Sequence, residues 1–246
     1  MEPLQIFPIQ GIREITEGSS IPDEILCCAP TLADGDVLVI ASKIISKAEG
    51  RVYRESDLEI SPFAAHLSKL TGNSPAYCEL VLRESTGILR TAKGVVICKT
   101  HHGFVLANAG VDASNAGGRG NLIALPKDPD ASARNIRAEI FEKTGKQLAV
   151  IISDTFGRAW RVGQTDLAIG VSGISPIQDW RGKQDADGRP LSKTCIAIAD
   201  ELACAADLVC GKAARVPAAI IRGAEYTPDD TGISALLMDE SKNLFK

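Results

Sequence analysis

Val150–Ile174 reads VIISDTFGRAWRVGQTDLAIGVSGI, and its reading decides the fold class. Its opening belongs to the short aliphatic run Gln147–Ser153, bounded by polar residues, which is the pattern of a buried strand. The polar run Ser153–Arg158 (SDTFGR) then places Asp154 and Thr155 at the mouth of that strand. Thr165–Ile174 (TDLAIGVSGI) is a further strand candidate, weakened by Gly170, because a glycine inside a strand brings no side chain to pack. Working outward, Val37–Ser42 (VLVIAS), Gly94–Thr100, Gly103–Ala109 and Val216–Arg222 have the same short, buried-strand character.

Helices stand out where end signals agree. Asp130 or Ser132 can cap a helix that carries Ala133, Ile136 and Ile140 on one face and closes at Gly145. Pro62–Leu70 and Pro75–Glu84 read as two shorter helices separated by Gly72 and Asn73. Cys195–Val209 reads as a helix with Asp200 and Asp207 on one face and the rest buried. Strands and helices do not alternate cleanly as βαβ units, so a mixed α+β architecture is expected rather than a doubly wound sheet. No linker or repeat divides the chain, and residues 1–246 are expected to form one unit.

The chain has 246 residues, with 27 Lys+Arg against 31 Asp+Glu and a net charge of -4. This acidic balance, without a Lys/Arg block, lacks the footprint of a nucleic-acid binder or of a membrane-surface protein. No apolar run approaches the roughly 20 residues of a membrane helix. Met1–Gln10 is strand-like and lacks the features of a signal peptide, so a cytoplasmic location is expected. Seven cysteines without a C-x-x-C pair read as reduced thiols, mostly small core residues, and not as a zinc site. Aromatics supply only 4% of residues, so the core must be aliphatic.

Standard phosphate-binding loops are missing, as are H-E-x-x-H and G-x-S-x-G. The adjacent His101 and His102 would point to opposite faces and read as structural or solvent-facing. Asp179–Pro190 (DWRGKQDADGRP) reads as a charged surface turn rather than a calcium loop. What remains is a set of polar residues at the ends of apolar strands, where sites commonly sit. Asp112 and Asn115 lie in NAGVDASN (108–115), after the run Phe104–Ala107; Asp154 and Thr155 follow Ile152. Two carboxylates from separate strands, with hydroxyls and amides nearby, suit Mg²⁺ or Mn²⁺ bridging a polyphosphate. They suit turns and helix caps equally well. Ser42 and Lys47, in SKIISKAEGR (42–51), can contact a phosphate or ribose, or Lys47 can sit solvated on a surface turn. Arg158 and Arg161 can clamp a carboxylate or neutralise the aspartates.

Together, IFPIQGI (6–12), DGDVLVIASKIISKAEGR (34–51), NAGVDASN (108–115), LPKDPDASA (125–133), the opening stretch 150–174, ADELACAADLV (199–209) and VPAAIIRG (216–223) resemble the coenzyme F420-0:L-glutamate ligase family. They occur in order and span nearly the whole chain. The resemblance implies a GTP-dependent ligase. The terminal carboxylate of the coenzyme precursor becomes an acyl phosphate, L-glutamate displaces the phosphate, and a γ-linked glutamyl tail can extend. Divalent metal offsets the charge that repels an anionic attacker.

Matched position by position, the resemblance implies Asp112 and Asp154 as shared metal ligands and Thr155 as a ligand of a second metal. It implies nucleotide contacts at Ile12, Arg13, Glu14, Ile15, Ser42, Lys47 and Asn115, with Lys47 joining the two aspartates in catalysis. Arg13 stands where several relatives have proline. Lys212, also in the implied nucleotide set, stands where some members carry an acidic ligand. Two ions, Mg²⁺ or Mn²⁺, are therefore implied with an altered second site. The resemblance further implies an intertwined homodimer without the flavin-reductase-like domain that follows in bacterial members. A related amide ligase with another carboxylate acceptor, and a non-catalytic nucleotide-binding protein of the same fold, are the alternatives.

Overall fold

The computed structural model describes residues 3–244. In chain order the first elements are β1 (Gln5–Pro8), α1 (Ile21–Cys28), β2 (Val37–Ala41), α2 (Ser42–Ala48) and β3 (Val52–Arg54). Then come α3 (Pro62–Thr71), α4 (Pro75–Arg83), β4 (Ser85–Ala92), β5 (Val95–Thr100), β6 (Val105–Ala107) and β7 (Asn121–Ile123). The last group is α5 (Pro129–Thr144), β8 (Ala149–Arg158), β9 (Arg161–Ser172), β10 (Gln178–Asp179), β11 (Cys195–Ile196), α6 (Ile198–Cys210) and β12 (Ala218–Arg222).

The main sheet has the order β1-β12-β2-β8-β9. β2 and β8 are parallel, and the other neighbours pair antiparallel. The architecture is thus mixed α+β. The residues Val37–Ile40, Ala149–Ile152 and Ala218–Ile221 are almost wholly excluded from solvent. Burial on both faces explains why these strands read as continuous aliphatic runs rather than as alternating ones. A parallel pair cannot be joined by a tight turn. The long crossover between β2 and β8 carries a second, smaller core, in which Leu67, Leu80, Val96, Cys98, Val111 and Leu122 pack together. α3, α4 and the sheet β4-β5-β6 build this second core. No helix among the described residues is long and apolar enough to cross a membrane.

The strand read over 165–174 is borne out through Ser172, since β9 continues past Gly170 with a bulge at Ile169. The glycine leaves room for the first turn of α5 against the sheet. A Cβ there would lie 2.5 Å from the backbone carbon of Pro129. Several sequence readings are corrected. The cap of α5 is neither Asp130 nor Ser132 but Asp128, whose carboxylate accepts from Ala131 N at 2.9 Å. Asp130 instead accepts from Val171 N at 2.8 Å and from Ile233 N, tying α5 to β9 and to the C-terminal segment. On α6 the acidic face is not the solvent face. Asp200 turns inward to accept from Ala168 N beside a bulge in the β8–β9 ladder, while Leu208 is 84% exposed. A bulge frees backbone donors from the ladder, and buried donors need acceptors. The segment after β2 is no surface turn: Ser42–Ala48 is the helix α2. All seven cysteines are free thiols, but only Cys78 and Cys98 are buried.

Candidate active site

β2 lies beside β8 in parallel register, with Ala41 opposite Ser153. Ser42, the first residue of α2, therefore emerges next to Asp154. Its hydroxyl is buried and donates to Asp154 Oδ1 at 2.7 Å. Dense surroundings push the Asp154 carboxyl up to about 6. Burial is the main cause, the charge of Asp166 adds to it, and the Ser42 hydrogen bond and Lys43 oppose it.

The neighbouring residue on α2 serves the other predicted carboxylate. Lys43 Nζ donates to Asp112 Oδ2 at 2.6 Å and to Ser114 Oγ at 2.8 Å. Asp112 is held by a two-way backbone bridge to Ile123, and its Oδ1 accepts from Ser114 N at 2.7 Å. Burial acts to raise its pKa, but the hydrogen bonds from Lys43 and Ser114 outweigh this and hold the carboxyl below its ordinary value. Beneath the loop, the Tyr77 hydroxyl donates to Val111 O at 2.7 Å. Burial, helped by the Asp112 charge, pushes that phenol up to about 12, so it acts as a neutral donor. Asp112 follows the second core and Asp154 leaves the first, so the site lies where the two cores meet.

A third group forms on the β8–β9 ladder. Thr155 and Asp166 are cross-strand partners, and side chains opposite one another share a face. Thr155 Oγ1 donates to Asp166 Oδ1 at 2.7 Å and Ser153 Oγ donates to Asp166 Oδ2 at 3.0 Å. The Lys212 ammonium reaches Thr155 Oγ1 at 2.5 Å, Asp166 Oδ1 at 3.0 Å and Asp207 Oδ1 at 3.2 Å.

The remaining predicted residues are spread around this centre. Lys47, one turn along α2 from Lys43, is only 12% exposed and pairs with Glu14. Arg13 points to Glu24 on α1, and Ile15 is buried in the main core. Ile12 packs against that core in part, leaving Arg13 and Glu14 as the exposed residues of the loop. Asn115 is exposed, in the left-handed backbone region at φ 55°. Arg158 and Arg161 face each other at the exposed end of the β8–β9 hairpin. Arg158 lies four residues beyond Asp154, on the order of 13 Å along the strand. They do not join the oxygen cluster. His101 and His102 each hydrogen-bond a backbone carbonyl, of Arg83 and Pro126 respectively, as structural residues do.

Sequence reasoning missed Lys43, Ser114, Asp166 and Asp207. Asp166 was within reach: a hairpin turning at Ala159–Trp160 puts Thr165 and Asp166 opposite Phe156 and Thr155. Lys43 carried no signal of its own.

The donor chemistry fits a hard divalent ion at Asp112 and Asp154, both carboxylates with hydroxyls beside them. Among the described residues, no three His, Cys, Asp or Glu side chains converge to hold a metal. A metal here would complete its shell from water and phosphate oxygens, as Mg²⁺ commonly does. The Thr155 position does not fit a second ion in the same way, because the Lys212 ammonium already sits against its oxygen.

Fold and site together describe an α+β protein whose oxygen-rich cluster, at a strand–helix junction, is suited to polyphosphate and carboxylate chemistry. Comparison with known proteins sharpens this. The family model described as F420-0:gamma-glutamyl ligase matches residues 11–223, and the chain belongs to that family. It is 45% identical to the coenzyme F420:L-glutamate ligase of Methanothermobacter thermautotrophicus, over 99% of both chains. It is 43% identical to the protein of that name from Methanopyrus kandleri, over 89% of this chain and 87% of the relative. For Methanocaldococcus jannaschii the figures are 46%, 78% and 77%.

Proposed function

We propose that this chain is a GTP-dependent ligase that joins L-glutamate to the deazaflavin coenzyme F420-0 and extends a γ-linked glutamyl tail. The observation that carries the reading is the gathering of Asp154 and Asp112 by adjacent residues of α2, Ser42 and Lys43. The names of the relatives supply the substrate class.

A free carboxylate is a poor electrophile, so amide formation needs a leaving group. In the proposed reaction the precursor carboxylate attacks the γ-phosphorus of GTP, GDP departs, and an acyl phosphate forms. The glutamate amine then attacks the acyl carbon, phosphate leaves, and the nitrogen loses its proton. Mg²⁺ or Mn²⁺, when bound at Asp112 and Asp154, supplies a Lewis acid that offsets the charge between triphosphate and attacker. Ser42 fixes the orientation of Asp154. Lys47 exchanges its Glu14 partner for a phosphate oxygen, a shift suited to a compact ammonium. Asn115 and the loop Ile12–Ile15 border the nucleotide.

The proposal includes a homodimer, supported by the exposed hairpin tip with Trp160 87% exposed and Val162 fully exposed. It also includes action in the cytoplasm, which suits seven free thiols.

Incubation with GTP, Mn²⁺, L-glutamate and F420-0 tests the reading, with products expected to be heavier by successive glutamyl units. GDP release that requires glutamate but not F420-0 would point to another carboxylate acceptor. Nucleotide binding without any turnover would remove the ligase reading.

A further inference from the structure

The Lys212 side chain has an arrangement that the proposed chemistry leaves unexplained. An ammonium has three N–H donors and no acceptor. Here three different oxygens lie around Nζ, from Thr155 on β8, Asp166 on β9 and Asp207 on α6. Thr155 Oγ1 and Asp166 Oδ1 accept hydrogen bonds and Asp207 Oδ1 is an ion-pair partner, so the oxygens come from both strands of the β8–β9 hairpin and from α6. Ser153 and Thr155 hydroxyls complete the hydrogen bonding of Asp166. Two carboxylates, Asp166 and Asp207, face the ammonium at 3.0 and 3.2 Å. The Lys212 side chain is more than half exposed, so the oxygen cage is open on one side.

We propose that Lys212 is a tethered monovalent cation that takes the place of a second divalent ion, so that this enzyme works with a single metal, at Asp112 and Asp154. The inference rests on the ligase reading and deepens it. A hard divalent ion at Thr155 would need the oxygens that Lys212 now holds, and would meet a fixed positive charge beside them. The ammonium keeps part of the electrostatic benefit, since it places positive charge next to the cluster without recruiting an ion from solution. It offers no open coordination position, so Lys212 acts as a positioning residue that balances Asp166 and Asp207 and holds the Thr155 hydroxyl.

Counting bound Mn²⁺ tests the assignment. The purified chain is titrated with Mn²⁺ in the presence of guanosine β,γ-imidotriphosphate, and retained metal and nucleotide are counted separately. Wild type and Lys212→Arg are expected to retain one Mn²⁺ per chain. Lys212→Met is expected to retain two, the second being lost again when Asp166→Asn is added. Circular dichroism melts confirm that the variants compared are folded, and Lys212→Arg reports on charge if Lys212→Met does not fold. Two Mn²⁺ in wild type, two in Lys212→Arg, or only one in folded Lys212→Met overturns the assignment. Wild type retaining nucleotide with two Mn²⁺ overturns this inference alone. Retention of neither metal nor nucleotide by any variant overturns the ligase reading and this inference with it.

Discussion

Ser42 and Asp154, 112 residues apart in the chain, are joined by a 2.7 Å hydrogen bond from the serine hydroxyl to carboxylate Oδ1. The bond exists because β2 and β8 run parallel and in register, so the start of α2 meets the mouth of β8. It opposes a burial that holds the Asp154 carboxyl at about 6.

Asp154 makes stability depend on pH in a defined direction. Its folded pKa lies above the unfolded value of about 3.9, so the native state binds the extra proton between about pH 4 and about 6. The metal-free protein should therefore lose stability as pH rises through that window, by on the order of 3 kcal/mol from this group. Asp154→Asn should remove the slope, leave the protein folded and abolish metal-dependent turnover. Urea unfolding at a series of pH values, with an activity assay, checks both. A variant that unfolds at room temperature while its folded fraction stays active would make Asp154 structural.

Ser42→Ala takes away the hydrogen bond that favours the ionised carboxylate. The upper edge of the same window should move to higher pH, and the variant should lose about 1 kcal/mol at neutral pH, the usual worth of such a bond. The pH dependence of the unfolding midpoint measures the shift.

Lys47→Ala should raise the GTP concentration needed for half-maximal rate about tenfold, the effect of losing roughly 1.4 kcal/mol of phosphate binding. Its Glu14 partner is largely exposed, so losing the ion pair itself should cost little stability, and any fall in melting temperature reports the packing of the mostly buried Lys47 stem. An unchanged GTP requirement would take Lys47 out of the site.

Far from the cluster, Arg222 clamps the buried Asp36 through Nε and a terminal nitrogen, each at 2.7 Å. Arg222→Met strands that carboxylate and should cost about 3 kcal/mol, because an unpaired buried charge is expensive. Denaturant titration gives the value, and a loss below about 1 kcal/mol would show that water replaces the guanidinium.

Gly170→Ala forces a methyl against the Pro129 backbone and should cost about 2 kcal/mol as α5 is pushed from the sheet. A melt compared with that of Gly87→Ala, a strand glycine without a positive φ and with nothing within 4 Å of the added carbon, separates crowding from the effect of adding a methyl to a strand. Equal losses would argue against the contact.

Much of the fold was legible because its signals are local. Aliphatic runs such as Val37–Ile40 and Ala149–Ile152 announce buried strands, and Gly145 announces the end of α5. α1 also had readable signals, a Ser20 cap, Pro22 and two acids in its first turn, yet its eight residues are too short for apolar periodicity to stand out. The site was legible only in part. Asp112, Asp154 and Thr155 were visible as polar residues at strand mouths. Lys43 was not, since a lysine on a short helix has the same local pattern whether it faces solvent or a carboxylate.

The sequence by itself determined which segments are buried, where their polar ends fall and which family the chain resembles, because burial and chain reversal leave their mark within a few residues. Only the tertiary structure decided that Ser42 meets Asp154, that Lys43 meets Asp112, and that Lys212 sits among Thr155, Asp166 and Asp207. Those meetings depend on strand order and register across distant parts of the chain. Hydrogen bonding and charge pairing then act over a few ångströms, a scale that only the packed sheet can set.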